Sequence, residues 1–177
     1  MKAAPFAYHR PESVADAVAL LREYGDEAKI LAGGQSLVPM LAMRLTHFEN
    51  LIDISRIEEV RNIELRDGAV WIGAGTPHAF VGMDDEVAES VPLLTLSTPH
   101  IGHFQIRTRG TLGGAIAHAD PAAEYAAVAV ALDAEIEATV ATYFQMLRTQ
   151  ELGQALNKAE HNRRLQARIP ARSRGAI

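Results

Sequence analysis

The sequence predicts an α+β fold of two lobes, and three observations carry that prediction. Strand-length apolar runs alternate with helix-periodic runs through residues 13–53. A second block opens with alternating apolar positions around Asp67-Gly68, a strong signal for a type I′ hairpin. Two double glycines, Gly33-Gly34 and Gly113-Gly114, each interrupt a β-plus-helix unit. The boundary is expected near residues 48–55, giving a small lobe over 1–53, a larger one over 54–138 and a distinct tail over 139–177.

The elements follow in chain order. In "SVADAVALLREYG", Val14, Ala17, Val18 and Leu21 share one helical face. Ser13 is the expected N-cap, with Asp16 three residues on, and Gly25 the expected stop. "AKILAG" reads as a strand and "LVPMLAMRL" as a helix capped by Ser36, with Pro39 tolerated in its first turn. "NLIDIS" is a strand, and "NIELRDGAVWIGAG" is the hairpin. "DDEVAESVPLL" predicts a helix up to the region of Pro92. "HIGHFQIRTRGTLGGAIAHADP" holds too many turn residues for one regular element, and a helix is expected to start near Pro121, with Asp120 as its cap. "AAEYAAVAVALDAEIEA" reads as a buried helix leading into a strand.

Composition narrows the function. At 48% hydrophobic and 22% charged, the 177-residue chain is globular, and it holds no apolar run of membrane-spanning length. No secretory signal is read at the N-terminus, so the chain is read as cytoplasmic. With no cysteine it can hold neither a disulfide, a thiol nucleophile nor a cysteine-ligated iron–sulfur cluster. Any redox chemistry must therefore use a bound organic cofactor or another subunit. Residues 1–140 carry 10 basic against 20 acidic side chains, whereas 141–177 carry 7 against 2. An acidic body argues against nucleic-acid binding, and the tail belongs to a different charge regime.

"AGGQS" before a helix has two readings. It is a tight turn with a capping serine, or a site where bare backbone N–H groups and a helix N-terminus meet a phosphate. "RTRGTLGGAIAHADPAAE" repeats the pattern with Gly110, Thr111, Gly113 and Gly114. Two such segments suit a ligand with two phosphates, a dinucleotide. Neither is a GxxxxGK[ST] loop nor a GxGxxG turn, which counts against a kinase and a nicotinamide Rossmann domain. Arg107 and Arg109 could balance phosphate charge or be plain surface arginines. His100, His103 and His118 lack zinc-like spacing and read as structural hydrogen-bonding groups. No GxSxG supports a hydrolase.

"AGGQSLVPMLAMRL" followed by "IGHFQIRTRGTLGGAIAHADPAAE" resembles the flavin-binding medium subunit of molybdenum hydroxylases, such as aerobic carbon monoxide dehydrogenase and bacterial xanthine dehydrogenase relatives. The likeness covers roughly residues 1–137. It implies a two-lobed FAD domain of the vanillyl-alcohol oxidase/p-cresol methylhydroxylase type. Lys29, Ile30, Leu31, Ala32, Gly33, Gly34, Gln35 and Ser36 would form its first FAD-binding segment. Thr111, Leu112, Gly113, Gly114 and Ala115 would form the second. Ile101 would touch the flavin side, and Glu124 would stand near the ribose or ribityl hydroxyls, unless it is only a solvated first-turn carboxylate. No catalytic acid or base and no metal ligand is named.

The family role implied is electron transfer. Substrate is hydroxylated at a molybdenum–pterin cofactor in a large subunit, and electrons pass through 2Fe–2S clusters in a small subunit to FAD and then to an external acceptor. The cysteine-free composition fits that division of labour. Three departures stand out. Ala115 lies where relatives often have Asn or Ser, Thr108 replaces a common Asn, and the likeness stops after "ALDAEIEA". The basic tail beyond it predicts a C-terminally truncated or altered member, with the second lobe incomplete and the C-terminal lobe missing. The alternatives are a non-catalytic remnant that binds FAD weakly or not at all, and a stand-alone nucleotide-phosphate module.

Overall fold

A computed structural model describes residues 2–139 and 166–170. Two sheets organise it. The first is a three-stranded parallel sheet in the order β1-β3-β2, from β1 (Ala7–His9), β2 (Ala28–Leu31) and β3 (Asn50–Asp53). The second is antiparallel, in the order β4-β5-β7-β6, from β4 (Ile63–Arg66), β5 (Ala69–Gly73), β6 (Glu135–Glu137) and β7 (Gln166–Pro170).

Local chemistry accounts for most of the elements. Helix α1 (Val14–Tyr24) starts where the Ser13 hydroxyl accepts from the Asp16 N–H, and it stops at Gly25, whose φ is +53°. Asp67 and Gly68 have φ of +53° and +71°, as a type I′ hairpin requires. Helix α2 (Leu37–Ala42) carries Pro39 as its third residue, where the missing N–H costs little. Then come α3 (His78–Met83), α4 (Asp85–Ser90) and α5 (Pro92–Ser97), with Asp84 capping α4 and Pro92 opening α5. They are followed by α6 (Phe104–Arg107), α7 (Leu112–His118) and α8 (Glu124–Ala131).

Two apolar clusters hold these layers. Ala17, Ala28, Ile52, Ile57 and Val60 pack α1 onto the parallel sheet. Val70 and Ile72 of β5 pack with Val81, Val87, Leu94, Leu112 and Tyr125 of the helices in the other. Ile52, Val70, Ile72, Val81 and Val87 are fully buried, each worth about 1.5–3 kcal/mol of transfer free energy.

Several expectations are corrected here. The helix expected near Pro121 opens three residues on, at Glu124, and a further helix opens at Leu112 inside the segment expected to be irregular. Asp120 caps neither. Its carboxylate accepts from the Ala122 N–H at 2.9 Å in a local turn, and Ala123 occupies the N-cap of α8. Ser36 has helical backbone angles and makes no capping bond, so it is the N-cap in position only. Helix α8 buries Tyr125 and Val128 but leaves Val130 80% exposed, so it is half-buried. In the tail, Gln166–Pro170 form a strand between β5 and β6 where a helical or disordered end was expected. The rest of that expectation, over 140–165 and 171–177, lies outside the described residues. Strand β1 and helix α3 were not foreseen.

Candidate functional site: a cleft at the carboxyl ends of the parallel strands

Parallel strands leave their carboxyl-end loops splayed, and ligands gather there. The structure has a cleft of about 510 Å³ at this edge. Tyr8 of β1, Leu31 at the end of β2 and Asp53 at the end of β3 line one side. Ala32, Gly33, Gly34, Gln35, Val38 and Pro39 supply the loop between β2 and α2. Thr108, Arg109 and Thr111 face them from the second glycine segment, with Gly75 and Pro77 beside.

The first segment behaves as a donor loop. Among the described residues, the backbone N–H groups of Gly33, Gly34, Gln35 and Ser36 donate to no acceptor. Gly34 has φ of +70°, a conformation side-chain-bearing residues rarely adopt. The Gln35 amide is turned inward and donates to the Gly33 carbonyl at 2.9 Å. Consecutive outward N–H groups at a loop-to-helix junction form a concavity that binds anions. The exposed Arg109 guanidinium makes no hydrogen bond or ion pair among the described residues, so a positive charge stands free beside that loop.

The second segment is built differently. The Leu112 N–H donates to the Thr76 carbonyl at 3.1 Å and the Gly113 N–H to the Ala74 carbonyl at 2.9 Å. The Gly114 N–H donates to the Thr111 hydroxyl at 3.1 Å, which caps α7. The His78 N–H donates back to the Gly110 carbonyl at 2.9 Å, and Pro77 bridges Thr111. The first three donors of α7 are therefore spent on protein, and this segment is not a second free-donor cradle.

The glycines divide accordingly. A Cβ on Gly33 would lie 2.0 Å from the Arg109 carbonyl oxygen, and one on Gly113 would lie 2.4 Å from the Ala74 Cβ. At both positions packed protein leaves no room for a Cβ. The two glycine segments thus touch each other directly through Gly33 and residues 109–110. Gly114 meets only the Thr111 hydroxyl and, at 4.0 Å, Ala32.

Of the predicted site residues, Leu31 to Gln35 and Thr111 line the cleft. Lys29 is exposed with its ammonium 5.6 Å over the Phe48 ring, and Ile30 packs on the first apolar cluster. Ser36 is exposed at the start of α2. Leu112 and Gly113 are buried, Ile101 is 9% exposed, and Ala115 and Glu124 are half-buried; none of these lines the cleft. Arg107 is committed elsewhere, since its guanidinium donates to the carbonyls of Pro99, Ile101 and Gly102. His100, His103 and His118 are all exposed.

Three groups escaped the sequence reading. Asp53 is buried at the lip of the cleft and accepts from the Tyr8 hydroxyl and, at 2.8 Å, from the Ser55 N–H. Burial alone would raise its carboxyl, but the bonds from Tyr8 and Ser55, with Arg10 nearby, hold it below the usual range. Tyr8 is raised in turn, chiefly by that bond. His78 is 5% exposed, with its ring 4.9 Å from that of Tyr125. Among the described residues neither of its nitrogens has a hydrogen-bond partner, although its ring comes near the Thr111 backbone. Burial holds it below the ordinary imidazole value. The available signal for Tyr8 was the short "FAYH" run between two prolines; nothing local marks Asp53 or His78.

The parallel-sheet edge, the free-donor loop and the free arginine form a concavity of the kind that binds anions. The chain belongs to the family described as the FAD binding domain in molybdopterin dehydrogenase, whose model matches residues 4–168 and so runs past the quoted motifs. It is 45% identical over 138 residues to the 6-hydroxypseudooxynicotine dehydrogenase complex subunit alpha of Paenarthrobacter nicotinovorans, covering 78% of this chain and 47% of that one. It is 44% identical over 129 residues to the carbon monoxide dehydrogenase medium chain of Hydrogenophaga pseudoflava, covering 73% and 45%. The solved carbon monoxide dehydrogenase of Hydrogenophaga pseudoflava superposes with a TM-score of 0.82 at 38% identity, covering 99% of this chain and 62% of that one. The chain spans about half the length of the curated relatives it matches. Its relatives are subunits of oxidoreductase complexes, and FAD is the cofactor of its family. Among the described residues, no helix is long and apolar enough to cross a membrane.

Proposed function

We propose that this chain is the FAD-binding electron-transfer component of a molybdenum-containing hydroxylase, working with a molybdenum-cofactor large subunit and a 2Fe–2S small subunit. When bound, FAD supplies the electron chemistry between those clusters and an external acceptor. The chain's own residues bind and orient. The N–H groups of Gly33 to Ser36 hold the pyrophosphate, Arg109 balances its charge, and Thr111 closes the opposite wall. Ile101 and Glu124 serve the flavin and ribityl side. The two sheets, each with its own apolar cluster, support reading 1–53 and 54–138 as the two lobes of a vanillyl-alcohol oxidase/p-cresol methylhydroxylase-type domain, the first cluster also taking in Ile57 and Val60 from just past that boundary.

The observation that carries this reading is the run of unpartnered N–H groups that Gly33, Gly34 and Gln35 bring to the cleft and Ser36 continues at its edge, in a chain of this family. The spent donors of α7 favour a second reading, in which FAD is held by one loop only and weakly. Equilibrium titration with FAD separates them. Micromolar or tighter uptake with a flavin spectrum supports the first, and a protein that stays colourless with excess FAD contradicts it.

A further inference from the structure

The cleft pairs an anion-binding loop with a buried, ionised carboxylate, and those two cannot serve the same part of a ligand. Asp53 ends β3, directly beside Leu31 at the end of β2, with Leu31 and Asp53 as register partners in the parallel pair. The donor loop begins two residues after Leu31. A glycine-rich turn after one strand, followed about 20 residues later by an acid ending the adjacent parallel strand, is how doubly wound nucleotide sheets take a phosphate and a ribose hydroxyl from one nucleotide. The chain reproduces that relation, with Gly33-Gly34 followed by Asp53 across a β–α–β unit, although its turn is not GxGxxG.

The Asp53 carboxylate already takes protein donors at both oxygens, Oδ2 from Tyr8 and Oδ1 from the Ser55 N–H, with the Ser55 hydroxyl beside it as a third, and of a carboxylate's roughly four accepting positions one is left for a ligand. The carboxylate is thereby fixed in orientation, and its negative charge repels phosphate toward Arg109 and the Gly33–Ser36 donors. It excludes anionic groups, and the ribose hydroxyls are donors of a dinucleotide that suit it. Glu124, the other acidic candidate, does not line this cleft.

Resting on the FAD reading above, the geometry points to Asp53 as the residue that accepts a ribose hydroxyl of the adenosine end, with Tyr8 as its positioning residue. This gives the dinucleotide a direction: adenosine toward the carboxyl end of β3, and flavin toward Ile101 and Glu124.

The test compares binding of ADP, 2′-deoxy-ADP, 3′-deoxy-ADP and FAD by calorimetry to the full chain and to Asp53→Asn and Glu124→Gln. The wild type is expected to lose on the order of tenfold in affinity for one deoxy analogue, as for a hydrogen bond to a charged acceptor. Asp53→Asn should lose similarly for ADP and FAD and no longer discriminate, while Glu124→Gln still discriminates. A wild type that binds FAD yet holds all three diphosphates equally overturns the role of Asp53 and leaves the FAD reading standing; this comparison needs no variant to fold. Discrimination that survives Asp53→Asn also overturns it. A chain that prefers ADP over a deoxy analogue but takes up no FAD supports Asp53 and contradicts the FAD reading.

Discussion

Gly33 and Gly34 are adjacent and do opposite work. Gly34 is glycine for its positive φ, and Gly33 because the backbone of Arg109 leaves no room for a Cβ. Gly33→Ala is therefore expected to destabilise the fold by about 1–3 kcal/mol through overpacking, measured by urea denaturation, and to weaken FAD binding by displacing residues 109–110. Thr111→Val removes the cap of α7 and should cost about 1 kcal/mol in the same assay. His78 sets an acid limit. Its folded pKa lies below the ordinary 6.5, so between those values the unfolded chain binds the extra proton and stability falls as pH drops. Burial dominates that shift; Thr111 and Glu124 oppose it and Arg107 adds to it. His78→Gln should flatten the stability profile below about pH 6.5, read as the denaturation midpoint against pH.

At the scale of elements, the segment from Ala74 to His78 is a template on which the second glycine segment is docked by a short backbone ladder. Hydrogen exchange separates it from the first. The Leu112 and Gly113 amides should be protected without ligand, whereas those of Gly33 to Ser36 should exchange fast and slow down only with FAD bound. Slow exchange at Gly33–Ser36 in the free chain would contradict the donor-loop account. Periodicity and turn chemistry made α1, the hairpin and two strands of the parallel sheet, β2 and β3, legible in the sequence, because those signals are local; β1 was not. The start of α7 was not, since Thr111 looks like any loop threonine until Ala74 and Thr76 are brought opposite it. The same holds within the candidate site. The "AGGQS" loop announces itself, but Asp53 is a strand-ending residue whose importance depends on β2 lying beside β3.

At the scale of the molecule, two apolar clusters meet along a seam made of backbone, with Gly33 against residues 109–110 and Gly73 and Gly75 against Val60. The cleft opens on that seam, so its shape depends on both sheets; the run of free backbone donors comes from the first, and the free Arg109 guanidinium faces it from the second glycine segment. Affinity should therefore follow the diphosphate, with the isoalloxazine ring adding less. The most direct test titrates the purified chain with FAD and with riboflavin, following flavin fluorescence and the visible spectrum. The account predicts FAD binding at least about 100-fold tighter than riboflavin, the worth of two or so charge-assisted hydrogen bonds to phosphate. Equal affinities, or no uptake of FAD at all, would contradict it.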